Sequence, residues 1–160
     1  MFYNWNMYIK RLFIFLAIVI VWISCKPIGI YEKMATVPQH EWSSQFKPDF
    51  TFAIKDTTVR YNIFIVIRHT DSYHYNNIWL NFSSIAPADT VVTQKINLKL
   101  GDNKKWLGSS MDDVIEHRIL VNKDPVALKQ GNYIFMLQNA MREDPLENVL
   151  NVGVRIERAE

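Results

Sequence analysis

The chain has 160 residues, a formal net charge of +2 and a single cysteine. This length suits one domain with one hydrophobic core, and one cysteine excludes an internal disulfide. The basic excess lies at the N-terminus: Lys10 and Arg11 are the only charged residues of 1–24, so the remainder carries 16 basic and 16 acidic residues. No cluster of lysine and arginine forms a phosphate-binding stripe, and we expect no nucleic-acid partner.

Residues 1–24 are predicted to be a lipoprotein signal peptide. Lys10 and Arg11 give a positive flank, and twelve unbroken apolar residues follow over Leu12–Ile23. A membrane-spanning helix needs about 20 residues, whereas a run of this length is typical of a signal-peptide core. Ser24 then supplies a small residue directly before Cys25.

Cys25 carries the clearest chemical prediction in the chain. A serine followed by a lone cysteine at the end of such a run resembles the bacterial lipobox, in which the cysteine thiol is diacylated and the leader removed. Trp22 departs from the Leu, Val or Ile usual at that position. Two or three acyl chains, at about 0.8 kcal/mol per buried methylene, hold a domain on a membrane firmly. The alternative is an unmodified thiol in an uncleaved anchor.

The segment after the anchor is predicted to be a membrane tether over residues 25–45. Pro27, Gly29 and Pro38 interrupt regular structure, and Trp42 is expected to dock the end of the tether onto the domain.

Residues 46–160 are predicted to be one β-domain. Apolar runs and alternating patterns, separated by turn residues, predict strands at 50–54, 61–67, 78–82, 91–100, 115–121, 131–137 and 152–156. The run at 61–67 is apolar on nearly every position, which indicates a central strand covered on both faces. Residues 106–111 are predicted to be a loop with a buried tryptophan, and 146–149 a short helical turn. No stretch shows sustained helical periodicity, so we expect an all-β, antiparallel β-sandwich of jelly-roll-like order.

An ordered set of residues then resembles a known family. The set comprises Tyr31–Lys33, Trp42, Phe50–Phe52, Tyr61–Arg68, Tyr75–Trp79, Trp106–Gly108 and Gly153–Glu157. Together these are similar to the gliding-motility-associated lipoprotein GldH family of the Bacteroidetes, over about residues 30–158.

The resemblance implies a cell-envelope lipoprotein linked to gliding, although the family also occurs in bacteria that do not glide. It implies no catalytic residues, and Cys25 matches the lipobox position. Lys26–Ile28 lacks the acidic residues that accompany surface export in some relatives. We therefore expect the protein to face the periplasm.

The loop Tyr73-His74-Tyr75 is the predicted contact surface for a partner or a glycan. Aromatic side chains bury a large area at low entropic cost and can stack on sugars. The alternative is that Tyr75 and Trp79 only cap one end of the sandwich.

Catalytic and metal chemistry find little support in the sequence. His69, Asp71 and His74 are ligand types, but their spacing fits neither the helical nor the hairpin zinc pattern, so no metal is predicted. Ser109, Ser110 and His117 lack a nucleophile-elbow motif, and Asp112, Asp113 and Glu116 are expected to be solubilising charges. We predict no enzyme activity and no cofactor.

These observations favour a non-enzymatic envelope lipoprotein that acts as an accessory component of gliding or of a related machine. Its expected partners are the membrane, through Cys25, and other envelope proteins. Two alternatives stay open. One is a glycan-binding module, and the other is an envelope hydrolase with His117 or His69 joined to an acid and a nucleophile.

Overall fold

The computed structural model describes residues 30–102 and 104–159, with the side chain of Ile30 excepted. Over these residues the chain forms twelve β-strands and one short 3₁₀ helix, Pro38–His40. The strands are β1 Ile30–Thr36, β2 Glu41–Trp42, β3 Asp49–Ile54, β4 Arg60–Thr70, β5 Asn77–Ile85, β6 Val91–Lys99, β7 Ser109–Met111, β8 Val114–Leu120, β9 Val126–Ala127, β10 Gly131–Asn139, β11 Leu146–Glu147 and β12 Val149–Arg158. Within the described ranges no helix is long and apolar enough to cross a membrane.

The strands form two antiparallel sheets and one small ribbon. The larger sheet has the order β1-β12-β4-β8-β7, with β9 also paired to β4, and the second has the order β3-β10-β5-β6. Eight of the strands are longer than three residues, and they can be numbered from first to eighth along the chain. In one sheet these long strands lie in the order first, eighth, third, sixth, and in the other they lie in the order second, seventh, fourth, fifth. This is jelly-roll order. The prediction of an antiparallel β-sandwich is confirmed.

The core lies between the two sheets and follows from alternation along each strand. On β4, Ile63, Ile65 and Ile67 point into the core, and on β10 Tyr133, Phe135 and Leu137 do so. Strand β4 pairs with β12 on one side and β8 on the other, which confirms the central position predicted for 61–67. Val66, on the opposite face of β4, is also fully buried.

Charged side chains cover the outer face of the larger sheet. This charged face consists of Glu32, Arg68, Glu116, Arg118, Arg155 and Glu157, which five ion pairs connect. Arg155 bridges Glu32, at 3.0 Å, and Glu157. The long side chains of such a network shield apolar groups beneath them from water. That shielding accounts for the burial of Val66.

Three segments differ from the sequence prediction. Strand β1 lies inside the predicted tether and pairs along its whole length with β12, so the packed domain begins well before residue 46. Residues 109–111 form an edge strand on β8 instead of a loop. The predicted helical turn at 146–149 is wrong, because β11 pairs with β2, placing the buried Leu146 beside the buried Trp42. Long-range pairing outweighs the local helix-start preference of Pro145.

Candidate functional site

The loop between β4 and β5, residues 71–76, has a buried side and an open side. Tyr73 lies on the buried side, with only 4% of its surface exposed. Its hydroxyl donates to the carbonyl of Asn77 at 3.1 Å, and its ring packs 4.9 Å from His69. Burial raises the pKa of the Tyr73 phenol. This corrects the contact prediction for Tyr73, since its ring packs inside the domain and only His74 and Tyr75 of the three stay exposed.

Beneath this loop His69 and His117 form a buried pair. Their Nε2 atoms lie 2.9 Å apart, and His69 Nδ1 lies 2.6 Å from the carbonyl oxygen of Thr70. A carbonyl only accepts, so His69 Nδ1 carries the proton and its Nε2 accepts from Nε2–H of His117. Burial lowers the pKa of both rings, that of His117 to about 4, with the neighbouring His69 adding to the effect. Both histidines are therefore neutral at pH 7.

The structure separates the three residues that had metal-ligand character in the sequence. His69 turns inward to His117, Asp71 lies exposed with its backbone N–H bonded to Asp113, and His74 lies on the open side. Among the residues the structure describes, the group of three ligand-type side chains that comes together is instead His74, Glu143 and Glu147. Sequence reasoning missed the two glutamates because they lie about 70 residues further along the chain.

Tyr75 extends from the open side towards the outer face of the smaller sheet. Its hydroxyl donates to Glu143 Oε2 at 2.6 Å, and this bond is the main reason that the pKa of Tyr75 is raised. Tyr75 and Trp79 are 36% and 38% exposed. A pocket of about 480 Å³ lies between them, with Lys95, Met141 and Arg142 also in its lining.

The outer face of the smaller sheet, which we call the amide face, is rich in uncharged polar groups. Its defining residues are Asn77, Trp79, Asn81, Asn97 and Gln138. Asn77 donates to Asn97 at 2.7 Å, Asn81 donates to Gln138 at 3.3 Å, and the ammonium of Lys95 lies 5.4 Å from the centre of the Trp79 ring. The alternation of Ile78–Phe82 could have identified this face, because it places Trp79 and Asn81 opposite Ile78 and Leu80.

Cys25, the predicted lipidation site, and the signal peptide lie outside the described residues. Their assignment stays a prediction from sequence.

The chain is similar to gliding-motility lipoproteins over most of its length. The profile of the GldH lipoprotein family matches residues 29–156. The gliding motility lipoprotein GldH homolog of Christiangramia forsetii is 28% identical over 156 residues, covering 92% of this chain and 95% of the relative. The gliding motility lipoprotein GldH of Flavobacterium johnsoniae is 25% identical over 160 residues, covering 95% and 99%.

Solved structures give weaker similarities. A carbohydrate-binding module specific for non-crystalline cellulose, CBM28, aligns over 81% of this chain and 73% of its own length, with a TM-score of 0.48 and 11% identity. A mitogen derived from Yersinia pseudotuberculosis aligns over 82% of this chain and 86% of its own length, with a TM-score of 0.35 and 8% identity. Similarities at this level carry no functional argument.

Proposed function

We propose that this chain, which belongs to the GldH lipoprotein family, is a non-enzymatic accessory component of the gliding machinery or of a related machine of the cell envelope. As a member of a lipoprotein family it is anchored to a membrane of the envelope. In this proposal acylated Cys25 is the anchor and the domain faces the periplasm, where it holds another envelope protein.

The observation that carries this proposal is the pair of exposed aromatic side chains, Tyr75 and Trp79, around one pocket. Tyrosine and tryptophan are enriched among the residues that dominate protein interfaces, because each buries a large apolar area with few rotatable bonds. Met141 adds an adaptable apolar group to the pocket lining. We therefore assign the partner contact to this pocket.

The buried histidine pair supports the non-enzymatic part of the proposal. A general base must reach the proton that it abstracts. His69 and His117 have 0% and 2% of their surface exposed, and each ring bonds the other. A hydrolase built on either histidine would first have to open the core, so this alternative has less support than a binding role.

A crosslinked pull-down from the native membrane tests the contact. We expect wild-type protein to capture an envelope protein, and Trp79→Ala and Tyr75→Ala to lose it while their unfolding midpoints stay near that of wild type. Tyr31→Ala is the matched control, because Tyr31 is an exposed aromatic residue on the larger sheet. Equal capture by all three variants would contradict the assignment to this pocket.

The anchor is tested separately by Cys25→Ala. We expect the variant to leave the membrane fraction or to accumulate as unprocessed precursor, because no acyl chain can be attached. A variant that fractionates and migrates as wild type does would show that Cys25 is not lipidated.

A glycan is the second candidate ligand, and the amide face is the observation that favours it. Side-chain amides both donate and accept hydrogen bonds, as sugar hydroxyls do, and an exposed indole can stack on a sugar ring. Trp79 lies in one continuous surface with Asn77, Asn81 and Asn97. One indole and three amides on the same sheet could together bind a short stretch of polysaccharide.

Titration with envelope and plant-type oligosaccharides distinguishes the two candidates. A glycan ligand predicts saturable binding that Trp79→Ala and Asn97→Ala both weaken, whereas Tyr75→Ala has a smaller effect because Tyr75 lies at the edge. If none of the sugars binds saturably and a protein is captured through Trp79, the glycan proposal is contradicted and the protein-partner proposal is supported.

A further inference from the structure

We propose that His74, Glu143 and Glu147 form a site for one divalent metal ion, and that Zn²⁺ is the ion their chemistry suits. Each side chain offers one ligand atom, and these atoms all lie within 4.8 Å of one another. Ligands around tetrahedral zinc, at 2.0–2.2 Å from the ion, lie about 3.3–3.6 Å apart. His74 and Glu147 are exposed, so their side chains are free to rotate towards a bound ion.

The fold brings the three ligands together from distant parts of the sequence. His74 comes from the loop after β4, Glu143 from the segment after β10, and Glu147 from β11. Strand β11 is fixed by its pairing with β2, and Leu146 anchors it in the core. The backbone that carries Glu147 is therefore held in place before any ion binds.

The charge around these residues also favours a cation. Among the ion pairs of the described residues, none includes Glu143 or Glu147. Glu41 lies directly opposite Glu147 in the β2–β11 pair, and like charges opposite one another destabilise a strand pair. A divalent ion bound to Glu147 would offset this repulsion.

The ligand types select among divalent ions. Calcium and magnesium take oxygen ligands, whereas zinc readily combines imidazole nitrogen with carboxylate oxygen. Three protein ligands leave a fourth position for water or for an atom of a partner. The Tyr75 hydroxyl, which donates to Glu143 Oε2 at 2.6 Å, orients that carboxylate as outer hydrogen bonds do in other metal sites.

The test is a zinc titration of the full-length lipoprotein in detergent, after removal of metal with a chelator. We expect one zinc ion per chain by elemental analysis and a rise in the unfolding temperature of about 5 °C when zinc is far above its dissociation constant. His74→Ala and Glu147→Gln should each weaken binding at least tenfold. Calcium should give a smaller rise than zinc.

Two controls separate this site from adventitious binding. His40→Asn removes an exposed histidine of the 3₁₀ helix, and binding should be unchanged in this variant. Glu147→Gln should also raise the stability of the metal-free protein, because it removes the repulsion with Glu41. No zinc-induced rise in wild type, or a rise that survives in both His74→Ala and Glu147→Gln, would overturn the proposal. The outcome is independent of whether a protein or a glycan binds at Trp79.

Discussion

The two outer faces of the sandwich differ in the kind of surface they present. The charged face carries six ionised side chains in five ion pairs, and a valine beneath them is fully buried. The amide face has paired amides, hydroxyls and an exposed tryptophan. On the charged face the polar side chains are ion-paired with one another, so few of their hydrogen-bonding groups are available to a ligand. The amide face keeps an apolar ring and neutral donors available, so it is the better candidate for recognition.

The largest effect is expected from Gly153→Ala on the charged face. A Cβ at this position would lie 2.4 Å from the carbonyl oxygen of Lys33 and 2.7 Å from Cγ of Met34, so β1 would have to move away from β12. Overpacking of this kind costs about 1–3 kcal/mol. Urea unfolding measures the loss. Ser83→Ala on the amide face is the control and should stay within about 0.5 kcal/mol of wild type. If Gly153→Ala left the free energy of unfolding unchanged, β1 would have to pack loosely against β12.

The histidine pair between the faces predicts acid sensitivity. Its folded-state pKa values lie below the ordinary value of 6.5, so the unfolded chain binds more protons between about pH 6.5 and pH 4. The contribution of the pair to the free energy of unfolding is therefore fully present above pH 6.5. It is lost as the pH is lowered through this window, by an amount on the order of 2 kcal/mol. Urea unfolding at pH 7, 5.5 and 4.5 measures it.

A substitution links that pH dependence to the pair. His117→Gln keeps an N–H donor for His69 but cannot be protonated, so we expect a flatter pH profile than in wild type. Trp79→Ala, far from the pair on the outer surface, should keep the wild-type slope. If His117→Gln were as acid-sensitive as wild type, the sensitivity would arise from other groups.

A smaller loss is expected from Arg155→Ala, which removes the central member of the charged face. The Arg155 side chain is only 16% exposed and bonds both Glu32 and Glu157. Its loss leaves the partly buried Glu157 without its ion-pair partner, and Glu32 keeps only the longer contact with Arg118, at 3.8 Å. We expect a decrease of about 1–2 kcal/mol in the free energy of unfolding. Lys47→Ala, an exposed lysine outside every described ion pair, should change stability by less than about 0.5 kcal/mol. Equal effects of the two variants would show that the network contributes no more than ordinary surface charges.

The smallest effect on stability is expected from Trp79→Ala on the amide face. Because more than a third of the surface of Trp79 is already exposed, we expect a loss below about 1 kcal/mol, well under the cost of removing a core tryptophan. Thermal unfolding of the variant measures it. A loss above 2 kcal/mol would identify Trp79 as a structural residue and would remove the contrast between the two faces.

Much of the fold could be predicted from local patterns. The alternation over Ile96–Leu100 and the apolar run of Tyr61–Ile67 are properties of neighbouring residues, and both strands form as expected. Strand β11 could not be predicted, because it exists through its pairing with β2 about a hundred residues earlier. Strand β1 was missed for the same reason, since its partner β12 lies near the C-terminus.

The site was predictable only in part. Exposed aromatic character in the loop was correctly expected for Tyr75, whereas Tyr73 has the same chemistry and the opposite burial. In a strand, successive side chains point to opposite faces, but a loop has no such rule. The side to which each ring of the loop turns therefore depends on contacts such as that of Tyr73 with His69. The convergence of His74 with Glu143 is likewise a product of sheet topology and leaves no trace in local spacing.

If Cys25 is acylated as proposed, strand β1 also limits how far the domain can stand from the lipid. It begins at Ile30, only five residues after Cys25, and five fully extended residues span at most about 18 Å. With acyl chains on Cys25, the start of β1 stays within this distance of the headgroups. In that case a partner meets a domain that is held close to the membrane. Lengthening the segment before β1 with a flexible insert would measure how strictly the function of the protein depends on that height.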